Sequence, residues 1–208
     1  MIRSAPPPLP AIVIAAGGAG QRIGGRKPAR TLGGKPLLTH AIEWATGQSD
    51  CLALAVQEAS QGDRMGLPVL CDTGPARGPI SALVSAFDFA AEMGREHVML
   101  IGCDQPFLPL NLARSLSEAL GSYAVAMPVS HGRYQPLAAF WRVDRAALAD
   151  YKVSGGNSLW RFAAAQGVIH VDWPAADGPD PFFNINDAAD LAEAEAYLSV
   201  ANRAAKFQ

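Results

Sequence analysis

The run Ala11-Ile12-Val13-Ile14-Ala15, followed at once by a stretch crowded with glycine from Gly17 to Gly25, constrains the fold more than any other part of this 208-residue chain. A short apolar run without polar alternation is the pattern of a strand buried on both faces, and such strands belong to parallel sheets with helices packed on either side. The glycines that end it free the backbone to turn sharply and to approach an anion closely.

The pattern repeats along the chain. Pro36 is expected at the first position of a helix that carries Leu37, Leu38, Ala41, Ile42 and Ala45 on one side. Strands are expected from Cys51 to Val56 and from Pro68 to Cys71, the second ending at Asp72. Gln57 to Gly66 is polar and breaks the pattern. Pro79 opens a helix with Ile80, Leu83, Val84 and Phe87 at helical spacing. The strongest buried-strand signal, Val98 to Ile101, runs into Gly102-Cys103-Asp104. A helix from Leu110 to Leu120 is expected next, then strands Tyr123 to Val129 and Tyr134 to Trp141 around a turn at His131-Gly132-Arg133. Helices are expected after Arg142, after Asn157 and from Asp187 to about Asn202, with Asp187 as the cap and Asp190 three residues on.

Strands alternating with helices predict a three-layer, Rossmann-like α/β fold with a mostly parallel sheet, and ligands bind such sheets at the carboxyl ends of the strands. The glycine loop, Asp72 and Asp104 all fall there. No repeat or low-complexity linker divides the chain, so residues 11–202 are expected to form a single domain and residues 1–10, with three consecutive prolines, a disordered extension. A net charge of −2 offers no field for a nucleic-acid backbone. No stretch reads as a signal peptide or a membrane span. Three widely separated cysteines give neither a disulfide framework nor a zinc site, which fits a reducing cytoplasm.

Each motif admits a functional and a plain structural reading. Gly17-Gly18-Ala19-Gly20-Gln21-Arg22-Ile23-Gly24-Gly25-Arg26-Lys27 can cradle phosphates, with Arg22 and Lys27 adding charge, or can be a solvated turn. A dinucleotide fingerprint would need glycine at Ile23, and a P-loop would need Ser or Thr at Pro36. Asp104, held between a buried strand and Pro106, suits a Mg²⁺ ligand because that ion takes one or two carboxylates plus phosphate oxygens; equally, it can cap a turn. Asp72, followed by Thr73-Gly74-Pro75, leans further toward the turn. Asn184 and Asn186 precede the last helix, where Asn186 can complete a phosphate or metal shell or simply start the helix. No Ser-His-Asp order is legible, and His40, His97, His131 and His170 receive no catalytic role. The Trp and Phe residues read as core, and Cys103 as a buried inert thiol.

Ala15-Ala16-Gly17-Gly18 through Arg22-x-Gly24-Gly25, Lys27, Leu32-x-Gly34-Lys35-Pro36-Leu37, Gly78-Pro79-Ile80, Cys103-Asp104-x-Pro106-Phe107-Leu108-Pro109 and Phe183-Asn184-Ile185-Asn186 together resemble the molybdenum cofactor guanylyltransferase family, in order and spacing from about residue 11 to residue 200. The resemblance implies the nucleotide-diphospho-sugar transferase (glycosyltransferase type A) class of fold. It further implies transfer of GMP from GTP to the terminal phosphate of molybdenum-bound molybdopterin, with release of pyrophosphate. By the same resemblance Ala15, Ala16, Gly17 and Gly18 line the nucleotide, Lys27 meets its phosphates, Asp72 contacts guanosine, and Asp104 holds Mg²⁺. Arg22, Lys27 and Asp104 are the expected catalytic residues, with Asn184 and Asn186 in the nucleotide site. Molybdopterin is the expected acceptor, molybdoenzyme maturation proteins the expected further partners, and a monomer the expected state. The chain departs from the family pattern at Arg26, where an Asp is usual, at Gln57, where an Asn is usual, and at Gln135-Pro136, where many relatives have His-Pro. A sister enzyme using CTP or another phosphorylated acceptor, and a nucleotide-binding protein without turnover, are the alternatives.

Overall fold

The computed structural model describes residues 9–16, 27–56, 66–71, 78–174 and 178–205, with Lys27 and residues 201–205 described by backbone alone. Its frame is an eight-stranded sheet. β1 (Ala11–Ala15) pairs in parallel with β4 (Leu52–Val56) on one side and β6 (His97–Gly102) on the other, and β5 (Val69–Cys71) extends the sheet beyond β4. Past β6 lie β9 (Phe140–Arg142), β7 (Val125–Ser130) and β10 (Val168–Trp173), of which β9 alone runs against its neighbours. The short β8 (Arg133–Tyr134) pairs antiparallel with the end of β7. All six parallel strands therefore deliver their carboxyl ends to one edge, the ligand-binding edge of such sheets.

Helices cover both faces, as the two-sided apolar strands require. α2 (Pro79–Glu92), α4 (Arg145–Val153) and α5 (Leu159–Gln166) pack on the face that includes Val13, Val98, Leu100, Val125, Met127 and Trp141. α1 (Leu37–Thr46) and α3 (Leu112–Leu120) pack on the other, against Ile12, Ile14, Met99, Ile101 and Phe140. A small third cluster joins a hairpin, β2 (Thr31–Leu32) and β3 (Lys35–Pro36), to α6 (Ala188–Ala205) through Leu32, Leu37, Ile185 and Ala194.

Several boundaries differ from those expected. Pro36 is not the first helical residue: its ψ of 142° keeps it extended and paired with Thr31, and α1 starts one residue later. The hairpin that holds it turns on Gly33 and Gly34, at φ +58° and +78°, a two-residue turn that only glycine enters readily. α3 starts at Leu112, leaving Leu110 in the preceding loop and exposed. β10 has no counterpart among the expected strands, because its exposed His170 and Asp172 interrupt the apolar run. The expected strand from Tyr134 to Trp141 is broken by a 3₁₀ turn at Pro136–Ala138. Tyr134 lies opposite Val129 and Phe140 opposite Ala126, so six steps along one strand match three along the other. The three extra residues are taken up by that turn, where proline supplies the fixed φ. An odd slip also reverses which residues face which side, and it puts Trp141 on the α2 face with Phe140 on the α1 face.

His97, at the start of β6, packs against Phe140 with ring centroids 5.2 Å apart and the planes tilted by 35°, and its Nε2 is buried without a hydrogen-bond partner among the described residues. Burial lowers its pKa and the Arg142 guanidinium pushes it the same way, outweighing Glu96. The folded protein therefore holds His97 neutral while the unfolded chain binds a proton near the ordinary value of 6.5. Stability from this site is complete above that value and is lost as pH falls below it. Replacing His97 by Phe should flatten the acid side of a plot of unfolding midpoint against pH; an unchanged slope below pH 6.5 would show that other groups set it.

Candidate active site

Ala15 and Gly102 are register partners at the ends of β1 and β6, so the two strands leave the sheet side by side. The chain after each stays tied to its neighbours. Ala16 N–H donates to Ala55 O at 2.8 Å, and Cys103 N–H donates to Ala15 O at 3.3 Å. The half-buried Asp104 then folds its carboxylate back over Gly102, so closely that a β-carbon on Gly102 would collide with Oδ1. Gly102 N–H donates to Oε1 of Gln105, a side chain only 4% exposed. Val98 and Leu100 belong to the α2 core, and side chains alternate along a strand, so the space over Gly102 that Asp104 fills is on the α2 face.

A segment remote in sequence completes this edge. Ile185 N–H donates to the Asp104 carbonyl at 3.0 Å while its side chain is fully buried, which sets Asn184 and Asn186 on either side of the junction. Asn184 Nδ2 donates to Phe182 O, and Asn186 Nδ2 to Asn184 O. Asp187 and Asp190 cap α6 reciprocally: Asp187 Oδ1 accepts from Asp190 N–H at 3.0 Å, and Asp190 Oδ2 accepts from Asn186 N–H at 2.7 Å and Asp187 N–H at 3.3 Å. The expected cap is thus present, and the Asn186 backbone takes part in it.

Of the residues singled out in the sequence, Ala15, Ala16, Asp104, Asn184 and Asn186 are brought together at this edge. Lys27 opens a 3₁₀ turn, Lys27–Ala29, packed beside α1. Gly17, Gly18, Arg22 and Asp72, together with the departures at Arg26 and Gln57, lie outside the described residues. Gly102 and Gln105 were missed. The signal for Gly102 was available, since glycine at the end of a buried strand marks a place where something approaches the backbone closely. Gln135 N–H, bonded to Pro128 O at 2.9 Å, anchors the start of the 3₁₀ turn.

Residues 12–169 match the MobA-like NTP transferase domain. The chain belongs to that family. Within the family it is similar to the molybdenum cofactor guanylyltransferase of Acidiphilium cryptum, at 38% identity over 88% of this chain and 93% of the relative. It is also similar to that of Rhodopseudomonas palustris, at 37% identity over 92% and 93%. Among solved structures, it superimposes on a molybdopterin-guanine dinucleotide biosynthesis protein A from Archaeoglobus fulgidus with a TM-score of 0.73 at 20% identity, covering 91% of this chain and 98% of that one. It superimposes on a CMP:2-keto-3-deoxy-manno-octonic acid synthetase complexed with CTP with a TM-score of 0.70 at 14% identity, covering 93% and 99%. The fold is that of the nucleotide-diphospho-sugar transferases, as expected, and this MobA-like NTP transferase is a nucleotidyltransferase by family.

In this MobA-like chain the contact between Gly102 and Asp104 separates position from stability. Gly102→Ala forces the tip of a flexible side chain aside without straining the backbone, so the unfolding midpoint should stay within about 3 °C of wild type. Nucleotidyl transfer should fall roughly 10²-fold as the carboxylate turns away. Full activity in this variant would mean that the carboxylate's place over Gly102 does not matter.

Proposed function

We propose that this chain transfers GMP from GTP to the terminal phosphate of molybdenum-bound molybdopterin, releasing pyrophosphate. The observation that carries the reading is the match over nine-tenths of the chain to relatives named for guanylyl transfer to the molybdenum cofactor. The Asp104 carboxylate, held beside the end of β1 on the α2 face, supports the mechanism. A phosphate oxygen of the acceptor attacks the α-phosphorus in line; that P–O bond forms as the bond to the β-phosphate oxygen breaks, and pyrophosphate leaves with the electron pair. The nucleophile is already an anion, so no general base is required, and catalysis comes from placement and charge.

In this reading Ala15, Ala16, Gly17 and Gly18 line the nucleotide and Asp72 contacts guanosine. Arg22 and Lys27 offset the charge on the departing pyrophosphate. Asn184 and Asn186, fixed by the start of α6, close the phosphate site. No group of three or more His, Cys, Asp or Glu suited to a metal occurs among the described residues. A single carboxylate at a strand end does suit Mg²⁺, which is satisfied by one or two carboxylates together with substrate oxygens. Asp104 would hold the ion, which when bound supplies positive charge to the α- and β-phosphates. No helix among the described residues is long and apolar enough to cross a membrane. Cys51, Cys71 and Cys103 are not joined in disulfides, in keeping with a cytoplasmic enzyme.

A second reading, transfer of CMP from CTP, is favoured by the shared fold with a CTP-bound synthetase. Pyrophosphate release and dinucleotide formation measured with GTP and with CTP, each with Mg²⁺ and molybdenum-loaded molybdopterin, separates the two. GTP should be turned over and CTP at a small fraction of that rate; the reverse order overturns the assignment, and binding of GTP with no product from either would mark a protein that has lost turnover. Asp104→Ala should lower kcat by about 10²- to 10³-fold while leaving the fold intact. Lys27→Ala with unchanged kinetics would remove that residue from the phosphate site.

A further inference from the structure

Tyr134, Trp160 and His170 form an aromatic group open to solvent. The Tyr134 ring lies 4.6 Å from that of His170 and 5.9 Å from that of Trp160, centroid to centroid, tilted by 38° and 40°. Tyr134 is 45% and Trp160 42% exposed, and His170 is exposed as well. By contrast Trp141, Phe87, Phe140, Phe162 and Phe182 are almost completely covered, and Tyr123, exposed to a similar degree at 44%, stands apart from any ring partner among the described residues. Three clustered rings left facing water form a contiguous apolar surface of the kind that marks a binding site.

Its place in the sheet is informative. Tyr134 lies opposite Val129, Asp172 lies opposite Val129 on the other side, and His170 lies opposite Met127. Met127 belongs to the α2 core, so alternation puts Val129, Tyr134, His170 and Asp172 on that same face. Trp160 joins them from α5, whose Leu159 and Phe162 pack into the same core. The Asp104 carboxylate occupies that face as well, over Gly102. Both features sit at the carboxyl edge, and β6 and β7 are separated by β9 alone, which is roughly 10 Å across the sheet. The crevice where strand order reverses, between β1 and β6, is on the far side of Asp104 from the rings. The triphosphate belongs in that crevice, and the rings therefore flank the acceptor's side.

We propose that Tyr134 and Trp160 form a shelf for the heterocycle of the acceptor, a pterin, with the Asp172 carboxylate accepting hydrogen bonds from the N–H groups of its aminopyrimidinone edge. The inference rests on the acceptor assignment above and deepens it. The ring face supplies stacking area, the carboxylate selects a heterocycle with adjacent donors, and the offset from Asp104 leaves the acceptor's phosphate free to reach the nucleotide.

The test reads binding apart from turnover. 6-Hydroxymethylpterin, followed by its own fluorescence anisotropy, should bind the wild-type protein and Tyr134→Phe alike. It should bind Tyr134→Ala, Trp160→Ala and Asp172→Asn at least about tenfold more weakly. In turnover, the same three variants should raise KM for molybdenum-loaded molybdopterin by a similar factor with kcat at saturation little changed, while the rise in melting temperature produced by GTP stays at the wild-type value. Failure of the pterin to bind wild type, equal binding to the Tyr134→Ala, Trp160→Ala double variant, or loss of GTP binding in place of pterin binding would each overturn the shelf. Absence of dinucleotide formation by the wild-type protein would instead overturn the acceptor assignment, and pterin binding would still decide the shelf.

Discussion

The parallel pairing of β1 with β4 on one side and β6 on the other is the constraint on which the site depends. β1 is covered on both faces, with Ile12, Val13 and Ile14 fully buried, and its register with β6 sets Ala15 against Gly102. Shifting that register by one residue would turn every side chain of β1 to the wrong face, so the hydrophobic pattern of five residues fixes the relative height of two strand ends. Those ends carry Ala15, Ala16 and the Asp104 loop. Placement of the chemistry is thus a consequence of core packing, and the carboxylate's position follows from the absence of a side chain on Gly102.

The C-terminal segment fixes the edge from outside the main sheet. Ile185 bonds to the Asp104 carbonyl, and Asp187 and Asp190 start α6 immediately afterwards. From α6, Glu195 accepts from Gly33 N–H at 2.7 Å, and Leu198 Cδ1 lies 3.1 Å from where a β-carbon on Gly33 would stand. One helix therefore ties the loop bearing Asp104 to the hairpin that leads into α1. His40 supports the same hairpin by hydrogen bonding to Leu32 O at 2.9 Å, a structural task that accounts for it without chemistry. The cluster of Phe107, Phe183 and Tyr197 fills the space between, with ring centroids 6.2 to 6.4 Å apart.

Much of this was legible in the sequence, because long apolar runs and proline at the start of α2 report local structure directly. β1 is found over the residues expected, α2 begins at Pro79, and Asp187 with Asp190 caps α6. What was not legible depends on partners distant along the chain. β2, β3 and β8 have two residues each, too short for any periodicity to show, and they exist because the turns between or before them hold the chain in place. β10 is amphipathic at the end of the sheet, with exposed His170 and Asp172, and so lacks the apolar run that betrayed the inner strands. Trp160 is exposed where the sequence predicts a core residue, since identity alone does not tell which side of a helix a ring occupies. At the site, Asp104 was found from its strand, whereas the pairing of its loop with Ile185 joins residues 81 apart and has no local signature.

The slip of three residues between β8 and β9 links these observations. A regular strand from Tyr134 to Trp141 would place those two rings on opposite faces, because seven residues is an odd step in a period of two. Trp141 is needed in the α2 core, where it stacks on Phe162 with centroids 5.9 Å apart and meets Phe87 edge-on at 6.4 Å. Without the 3₁₀ turn, Tyr134 would face α1 and α3, away from both His170 and the Asp104 carboxylate. Pro136–Ala138 absorbs the odd count and lets one face hold both the buried tryptophan at its base and the open tyrosine at its edge. Gln135 precedes the turn and fixes its start through the N–H bond to Pro128 O. A one-residue change in the length of that turn would reverse which side of the sheet Tyr134 faces while leaving the pairing of β1 with β6 undisturbed.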